Sequence, residues 1–422
     1  MLGGAGFIGR HIVARLIAAG HSVTSAARST SGLEDALPGA RFVSLDLARA
    51  TDVQEWAGLL AGFDLVVNAA GVLRGREMEA VHVAMPRALH RGALAAGVQR
   101  VVLISAISAR SDVPTDYAST KLRGEQDLRT SGVGWTILRP SLVYGEGSYG
   151  GTSLLRGLAG LPLAIPVPGG GDYLFSPIHV ADLAEAVVRV AADPGFDGKV
   201  LEPCGPETLS HREILGRYRS WLGFGQARYL EIPMPVMRLM ARFGDWLGDG
   251  PVSTNSLAQL IAGNAGDGAG FSAAVGTVPR SMRSALRDSP AQVQDRWHAR
   301  LYFLGPAVRA VLALLWLASA WLGLAFGAAE THRVASALGL PVGLEAPLRI
   351  GACAADLVLA ALVLFDRKGR ASSLAQLALI GGYTLVIGLA VPGLWFDPLG
   401  PLLKNLPIAM LVLVHGAIAD RR

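Results

Sequence analysis

A chain of 422 residues is longer than one ordinary domain and allows two or three. Apolar residues make up 51% and the mean hydropathy is +0.40, which argues against a chain soluble throughout. Net charge is +5, but arginines gather at 280–300 and 367–370 beside apolar runs, and no basic stripe carries interleaved aromatics, so the basicity reads as membrane topology, with a nucleic-acid surface the weaker reading and no nucleic-acid partner expected. Cys204 and Cys353 lie in different parts of the chain, make no metal spacing and fit a reduced compartment. Charges thin out after residue 300, so a soluble part followed by a membrane part is expected.

The chain opens on Gly3-Gly4-Ala5-Gly6-Phe7-Ile8-Gly9, with a helical pattern (Ile8, Ile12, Val13, Leu16, Ile17) directly behind it. Glycines at 3, 6 and 9 let a backbone approach a pyrophosphate, and the helix N-terminus offers free N–H groups at a positive dipole end. Tight packing is the alternative use of such a turn. A Rossmann unit needs a buried strand of roughly five residues before its glycines. Only Met1 and Leu2 precede Gly3, so the expected start lies upstream and most of the first strand is missing.

Ser22–Ala27 reads as the next strand, ending at Arg28. An acid at this point would hold a ribose 2′-hydroxyl, whereas an arginine suits a 2′-phosphate. Arg28, assisted by Arg10, therefore favours NADP over NAD; a solvated surface residue is the alternative. Arg41–Leu45 is a further strand, followed by Asp46 and Leu47 where the adenine would lie. Asp46 either accepts from the adenine amino group or caps a helix starting near Thr51. Phe63–Ala69 closes in Asn68-Ala69-Ala70-Gly71, small enough for a ribose to lie against the backbone. Arg100–Ser105 is almost continuous in Val, Leu and Ile, as a parallel strand buried on both faces should be. Alternating strands and helices over 1–140 predict a doubly wound α/β sheet, with 1–145 as the expected nucleotide-binding domain.

Tyr117-Ala118-Ser119-Thr120-Lys121 sets Tyr and Lys at i and i+4 on one helical face. A phenol titrating near 10 is a poor acid–base catalyst at neutral pH, and a nearby lysine cation lowers that value. Tyr117 then exchanges a proton with a carbonyl or alcohol, with a strand-end hydroxyl orienting the oxygen: Ser105 first, Ser108 second. A surface helix pair is the alternative.

These stretches, together with Trp135–Gly145 and Pro177–Ala184, resemble the atypical short-chain dehydrogenase/reductases, in particular the branch that includes the accessory NADPH-binding subunit of respiratory complex I. The resemblance covers roughly residues 1–290. It implies that Pro140, Ser141 and Val143 lie beside the nicotinamide, and that Tyr117 and Lys121 are the acid–base pair. Some members of that branch hold their nucleotide structurally, which leaves a non-catalytic module of a membrane complex as the rival reading.

Residues 146–300 are expected to form a substrate lobe and connector. His179 either contacts ligand or supports packing, Glu213 and Arg217 read as a surface pair, and 263–276 reads as a loop. Val236, Leu239, Met240, Phe243, Trp246 and Leu247 recur at helical spacing; a core-facing helix is the commoner use, and a membrane-surface helix beside Arg238 and Arg242 the other.

In 301–422, four apolar segments near Pro306–Gly327, Leu348–Phe365, Leu374–Trp395 and Leu402–Ala419 approach the roughly 20 residues of a bilayer crossing. Arg296, Arg300 and Arg309, then Arg367, Lys368 and Arg370, then Arg421 and Arg422 put both ends in the cytoplasm of a multi-pass cell (inner) membrane protein. The lack of a signal segment before the first domain agrees. Asp356 within the second span is a functional-site candidate with Arg349 as partner, and His415 reads as wet. The tail resembles the DoxX-like membrane family in helix number and fusion order. The sequence thus predicts a membrane-anchored NADP-dependent oxidoreductase or epimerase-like enzyme acting on a small, lipophilic molecule.

Overall fold

The computed structural model describes residues 1–147, 150–247, 253–366 and 368–419. Arg367, Arg421, Arg422 and the side chain of Leu247 lie outside the described residues. The chain divides into two compact units, Met1–Ala299 and Arg300–Arg422.

The first unit is built on six short strands: β1 (Val23–Ala27), β2 (Ala40–Ser44), β3 (Leu65–Asn68), β4 (Arg100–Ile104), β5 (Gly134–Leu138) and β6 (Lys199–Leu201). All pair in parallel, β1 with β2, β3 with β4, β4 with β5 and β5 with β6. Leu2 joins the two halves. It bridges Ala26 of β1 and Asn68 of β3, its amide donating to the Val67 carbonyl (2.9 Å) and its carbonyl accepting from Ala69 (3.1 Å). Met1 and Leu2 therefore stand where the central strand of a Rossmann sheet runs, giving the order β2-β1-Leu2-β3-β4-β5-β6.

Apolar side chains cover both faces of this sheet. On one, Ile12, Val13 and Leu16 of α1 (Phe7–Ala18) meet Leu183, Val187 and Val190 of a helix over Val180–Ala192. On the other, Trp56, Met85 and Leu89 cover Val66, Val101 and Ile137. β4 is buried along its whole length, which is why it reads as an unbroken apolar run. The catalytic-helix candidate, α2 (Asp116–Arg129), starts from a Thr115 side chain that accepts from the Ala118 amide.

Several expectations are corrected here. Asp46 does not cap the next helix; Asp52 does, accepting from Gln54 and Glu55 amides at 2.8 Å each, while Asp46 faces Arg49 at 3.6 Å. Residues 263–276 are not all loop: Gly268–Val275 is a helix capped by Asp267, its glycines offset by burial of Phe271 and Val275. Glu213 closes a capping box with Ser210, and Arg217 pairs with Glu207 at 2.7 Å. The helix α3 (Met234–Leu247) does not point its apolar row into the core: Leu239 is 69% exposed and Trp246 78%.

From Val293 onward the helices Val293–Phe326, Val342–Phe365 and Arg370–Ala390 are long and apolar enough to cross a membrane. The fourth expected span is a helix of 14 residues, Asn405–Ile418, about 21 Å long and short of a full crossing. A helix over Ala328–Ala337, unforeseen in the sequence, follows the first span. Leu312, Trp316, Leu359, Val363, Ile380 and Val412 form the core. Asp356 is buried, but its partner is Ser319, whose hydroxyl donates at 2.6 Å; Arg349 donates instead to the Leu324 carbonyl at 3.3 Å. His415 is buried rather than wet, 3.3 Å from the Ser373 hydroxyl.

Candidate functional site

The glycine turn folds back on itself, with Gly6 N donating to Gly3 O at 3.0 Å. Gly3 has φ +75°, and a Cβ there would stand 2.9 Å from the backbone of Ala69 and Ala70. A Cβ on Gly9 would overlap the Gly3 carbonyl. The first turn therefore lies directly against the Asn68–Gly71 turn, which Asn68 Oδ1 braces by accepting from Ala70 N at 3.0 Å. Helix α1 starts on Gly6 with no side-chain cap and no acid in its first turn, behind Phe7 and Ile8. Its leading N–H groups are open to an anion, so this cradle fits a dinucleotide diphosphate.

Arg28 follows β1 and is exposed, as is Arg10, whose guanidinium donates to Ala5 O at 3.1 Å. Asp46 is exposed beyond β2, and the half-buried Leu47 packs on the sheet's second core.

Lys121 lies deep in the site. Its ammonium donates to the carbonyls of Ile104 (3.2 Å) and Ala70 (3.5 Å), tying the end of β4 to the turn after β3. Gly71 leaves room for it, since a Cβ there would be 3.2 Å from Nζ. Burial lowers the Lys121 pKa to about 8, against the pull of Glu125. Tyr117 stands one turn earlier, and burial pushes its phenol up to about 12. That reverses the expected direction: Lys121 spends its ammonium on two carbonyls, and desolvation of the phenolate prevails.

Ser105 is also differently engaged. Its hydroxyl donates to Glu125 Oε1 at 2.6 Å, and Arg139 grips the same carboxylate with Nε at 2.9 Å. The second candidate, Ser108, is buried. Ser141 is spent as well: its hydroxyl donates to Asn264 O and accepts from Ser176 N, and its amide donates to Pro203 O. Pro140 O accepts from Ile107 N at 3.0 Å, and Val143 pairs with Ile178. His179 caps the helix Val180–Ala192, accepting from Ala181 N at 3.3 Å, and stands 3.6 Å from Glu146, which supports its packing role.

Sequence reasoning missed His82, Glu125 and Arg139. His82 sits in a π-helical turn, Ala80–Ala84. Its Nδ1 is 2.9 Å from Thr120 Oγ1, and that hydroxyl sends its own proton to Asp116 O (2.8 Å); Nε2 accepts from Val72 N at 3.1 Å. These bonds assign the Nδ1–H tautomer. Burial first, then the Lys121 charge, lowers the His82 pKa to about 3. The ring lies edge-on to Tyr117 at 5.6 Å and pins the Gly71 turn to α2. A lone histidine in an apolar helix gives no sequence signal of this; Glu125, four residues after Lys121, could have been found by its helical spacing.

Residues 3–194 match the model of the NAD(P)H-binding family, and residues 313–413 match that of the DoxX-like family. The chain is 26% identical over 269 residues to NADH dehydrogenase [ubiquinone] 1 alpha subcomplex subunit 9, mitochondrial, of Arabidopsis thaliana, covering 58% of this chain and 63% of that one. It is 24% identical over 249 residues to the NADH-ubiquinone oxidoreductase 40 kDa subunit of Neurospora crassa, covering 57% and 64%. The chain thus spans less than two thirds of the length of these relatives. Among solved structures, a nucleoside-diphosphate-sugar epimerase of Staphylococcus aureus superposes with TM-score 0.55 at 18% identity, over 68% of this chain and 98% of that one. An NADPH-dependent quinone oxidoreductase of Escherichia coli complexed with NADPH gives 0.54 at 20% identity, over 68% and 98%. These likenesses show the shared fold.

The first unit is a Rossmann-type domain whose residues 3–194 match the NAD(P)H-binding family. The chain joins it to a membrane-associated DoxX-like domain.

Proposed function

We propose that this protein is a membrane-anchored, NADP-dependent oxidoreductase or epimerase-like enzyme that acts on a small lipophilic molecule. The observation that carries the reading is Lys121, whose ammonium meets the Ala70 and Ile104 carbonyls beside the glycine cradle with Tyr117 one turn away. Gly3, Gly6 and Gly9 hold the diphosphate on the α1 N-terminus, Arg28 and Arg10 hold a 2′-phosphate, and Asp46 and Leu47 flank the adenine. Asn68–Gly71, Pro140, Ser141 and Val143 line the ribose and nicotinamide. Bound there, the nicotinamide supplies or accepts the hydride. Tyr117, kept protonated by a pKa near 12, holds the proton that a substrate carbonyl oxygen takes in the reducing direction. Lys121 positions ribose and, with ligand excluding water, biases the phenol. Ser105 acts through Glu125 on the placement of α2.

Residues 146–300 serve as the substrate lobe, and 301–422 hold the enzyme in the cell's inner membrane. The first unit and the loop bearing Lys368 and Arg370 then face the cytoplasm, with two spans between them.

The test is Tyr117→Phe in full-length protein, with NADPH oxidation followed against membrane extract. Turnover is expected to fall at least a hundredfold, in the range of lost general acid–base catalysis, about 10²–10⁴-fold, with nucleotide affinity unchanged. Full turnover in the variant removes the assignment.

One observation favours a second reading. The Ser105 hydroxyl is spent on Glu125, so the strand-end donor expected for turnover is engaged elsewhere. In this reading NADPH is a structural ligand that helps a membrane complex assemble, a role suited to a relative of respiratory-complex subunits. Tight, unconsumed NADPH in mass spectra of the purified protein decides for it.

A further inference from the structure

We propose that α3 is an interfacial helix that lies in the headgroup layer of an anionic bilayer and holds the first unit against the membrane. Val236, Leu239, Met240, Phe243 and Trp246 are 46%, 69%, 48%, 58% and 78% exposed. At 100° per residue they share an arc of about 120°. Ala241, on the opposite side, is fully buried, so the helix is seated on the first unit there and turns its large apolar side chains outward. Phe243 and Trp246 pair at 5.7 Å between ring centroids at the centre and edge of that arc.

Five large apolar side chains in one unbroken arc form a surface that a soluble domain does not leave in water. Arg242 stands about 40° beyond the Trp246 edge of the arc and Arg238 about 80° beyond it on the same side, both exposed. An apolar arc carrying Trp, Phe, Leu and Met beside a basic rim matches the acyl–headgroup boundary, where the arginines meet lipid phosphates. The bilayer is always at hand, because the same chain carries the membrane-associated domain. A second copy fits less well: a twofold contact through this arc brings the same arginine pair of each copy together. The proposal stands on exposure and charge, and holds whether or not Tyr117 turns over substrate.

The experiment uses full-length protein in lipid nanodiscs, with an environment-sensitive NBD label on Phe243→Cys and a control label on Glu34→Cys, both exposed positions. Native Cys204 and Cys353 are buried. With phosphatidylglycerol present, the label at 243 is expected to shift to the blue and to resist iodide. It should lose about half its emission to lipids spin-labelled near the headgroup, given the ~5–10 Å depth of such helices. The control should remain iodide-sensitive. Arg238→Glu with Arg242→Glu should reverse the shift at 243 without lowering the first unit's melting temperature. A label at 243 open to iodide and untouched by spin-labelled lipid overturns the proposal. So does a covered label whose energy transfer reports a second copy, or one covered by protein and never quenched by lipid.

Discussion

Ser105 Oγ donates to Glu125 Oε1 at 2.6 Å, and Glu125 stands one helical turn beyond Lys121. Glu125 is fully buried and also accepts from Arg139, so one carboxylate joins the end of β4, helix α2 and the end of β5. Glu125→Ala leaves a partly buried guanidinium and a buried hydroxyl without their acceptor. We expect it to destabilise the first unit by about 3–5 kcal/mol, the range for breaking a buried pair from one side, read as a lower denaturant midpoint. Glu125→Gln keeps an acceptor for Ser105 and should cost clearly less. If both variants melt like the parent, the carboxylate does not organise the site.

His82 and Lys121 are two of the buried bases that make stability depend on pH. His82 has a folded pKa near 3, below its ordinary 6.5, so the unfolded chain binds more protons between those values. Its contribution is full above pH 6.5 and is lost progressively as pH falls toward 3. Lys121 is depressed to about 8 from 10.5, so stability rises with pH between about 8 and 10.5 as the folded lysine discharges first. His82→Asn should flatten the acid limb in pH-dependent melting, and Lys121→Met the alkaline one. At pH 7 Lys121→Met should also melt higher while binding nucleotide more weakly, because it removes a desolvated charge from a buried position. A Lys121→Met protein that melts lower at pH 7 refutes this.

Much of the fold was legible because its signals are local. β4 is an apolar run buried on both faces, and the glycine spacing reports a close approach of Gly9 to Gly3 within one turn. The site was legible as a set of elements, and less so as a set of contacts. Lys121 and Tyr117 share a helix, so spacing found them; the partners of Ser105 and Ser141 come from residues 20 and 123 positions away, which no spacing rule encodes. The sequence left the face of α3 open between core and membrane surface for a related reason. Helical periodicity gives the width of an apolar stripe, and it says nothing of what that stripe meets.

Two glycines separate folding from binding. A Cβ at Gly9 overlaps a backbone oxygen that cannot yield, so Gly9→Ala should leave the first unit largely unfolded. A Cβ at Gly6 comes only to 3.2 Å from Gly3 O, so Gly6→Ala should fold. That methyl stands at the α1 N-terminus where the diphosphate approaches, and calorimetry should show at least about a tenfold loss of NADPH affinity, near 1.4 kcal/mol. Parental affinity in folded Gly6→Ala moves the diphosphate elsewhere.

Arg28 tests coenzyme choice. It is exposed at the end of β1, where an acid would reject a 2′-phosphate. Arg28→Ala is expected to weaken NADPH about tenfold through loss of a charge-assisted contact, and to leave NADH nearly unchanged. Arg28→Asp should go further and favour NADH. Equal losses for the two coenzymes would mean that Arg28 supports the fold and does not read the phosphate.

Within the membrane unit, the Ser319–Asp356 pair poses a sharper question than its distance suggests. One carboxylate oxygen receives the Ser319 hydroxyl at 2.6 Å, while Oδ1 is buried with no hydrogen-bond partner. A half-satisfied carboxyl in a helix bundle is a cost, and an apolar side chain of similar volume fills the same space without it. Asp356→Leu should therefore raise the denaturation midpoint of the detergent-solubilised membrane unit. Ser319→Ala should lower it only slightly, by about 0.6 kcal/mol, the mean for such bonds between membrane helices. Opposite signs for these neighbouring variants, read by tryptophan fluorescence during titration with dodecyl sulfate, mean that Asp356 is kept for something other than stability. A loss of stability in Asp356→Leu as large as that of a core truncation makes the carboxyl a structural support and withdraws it as a functional candidate.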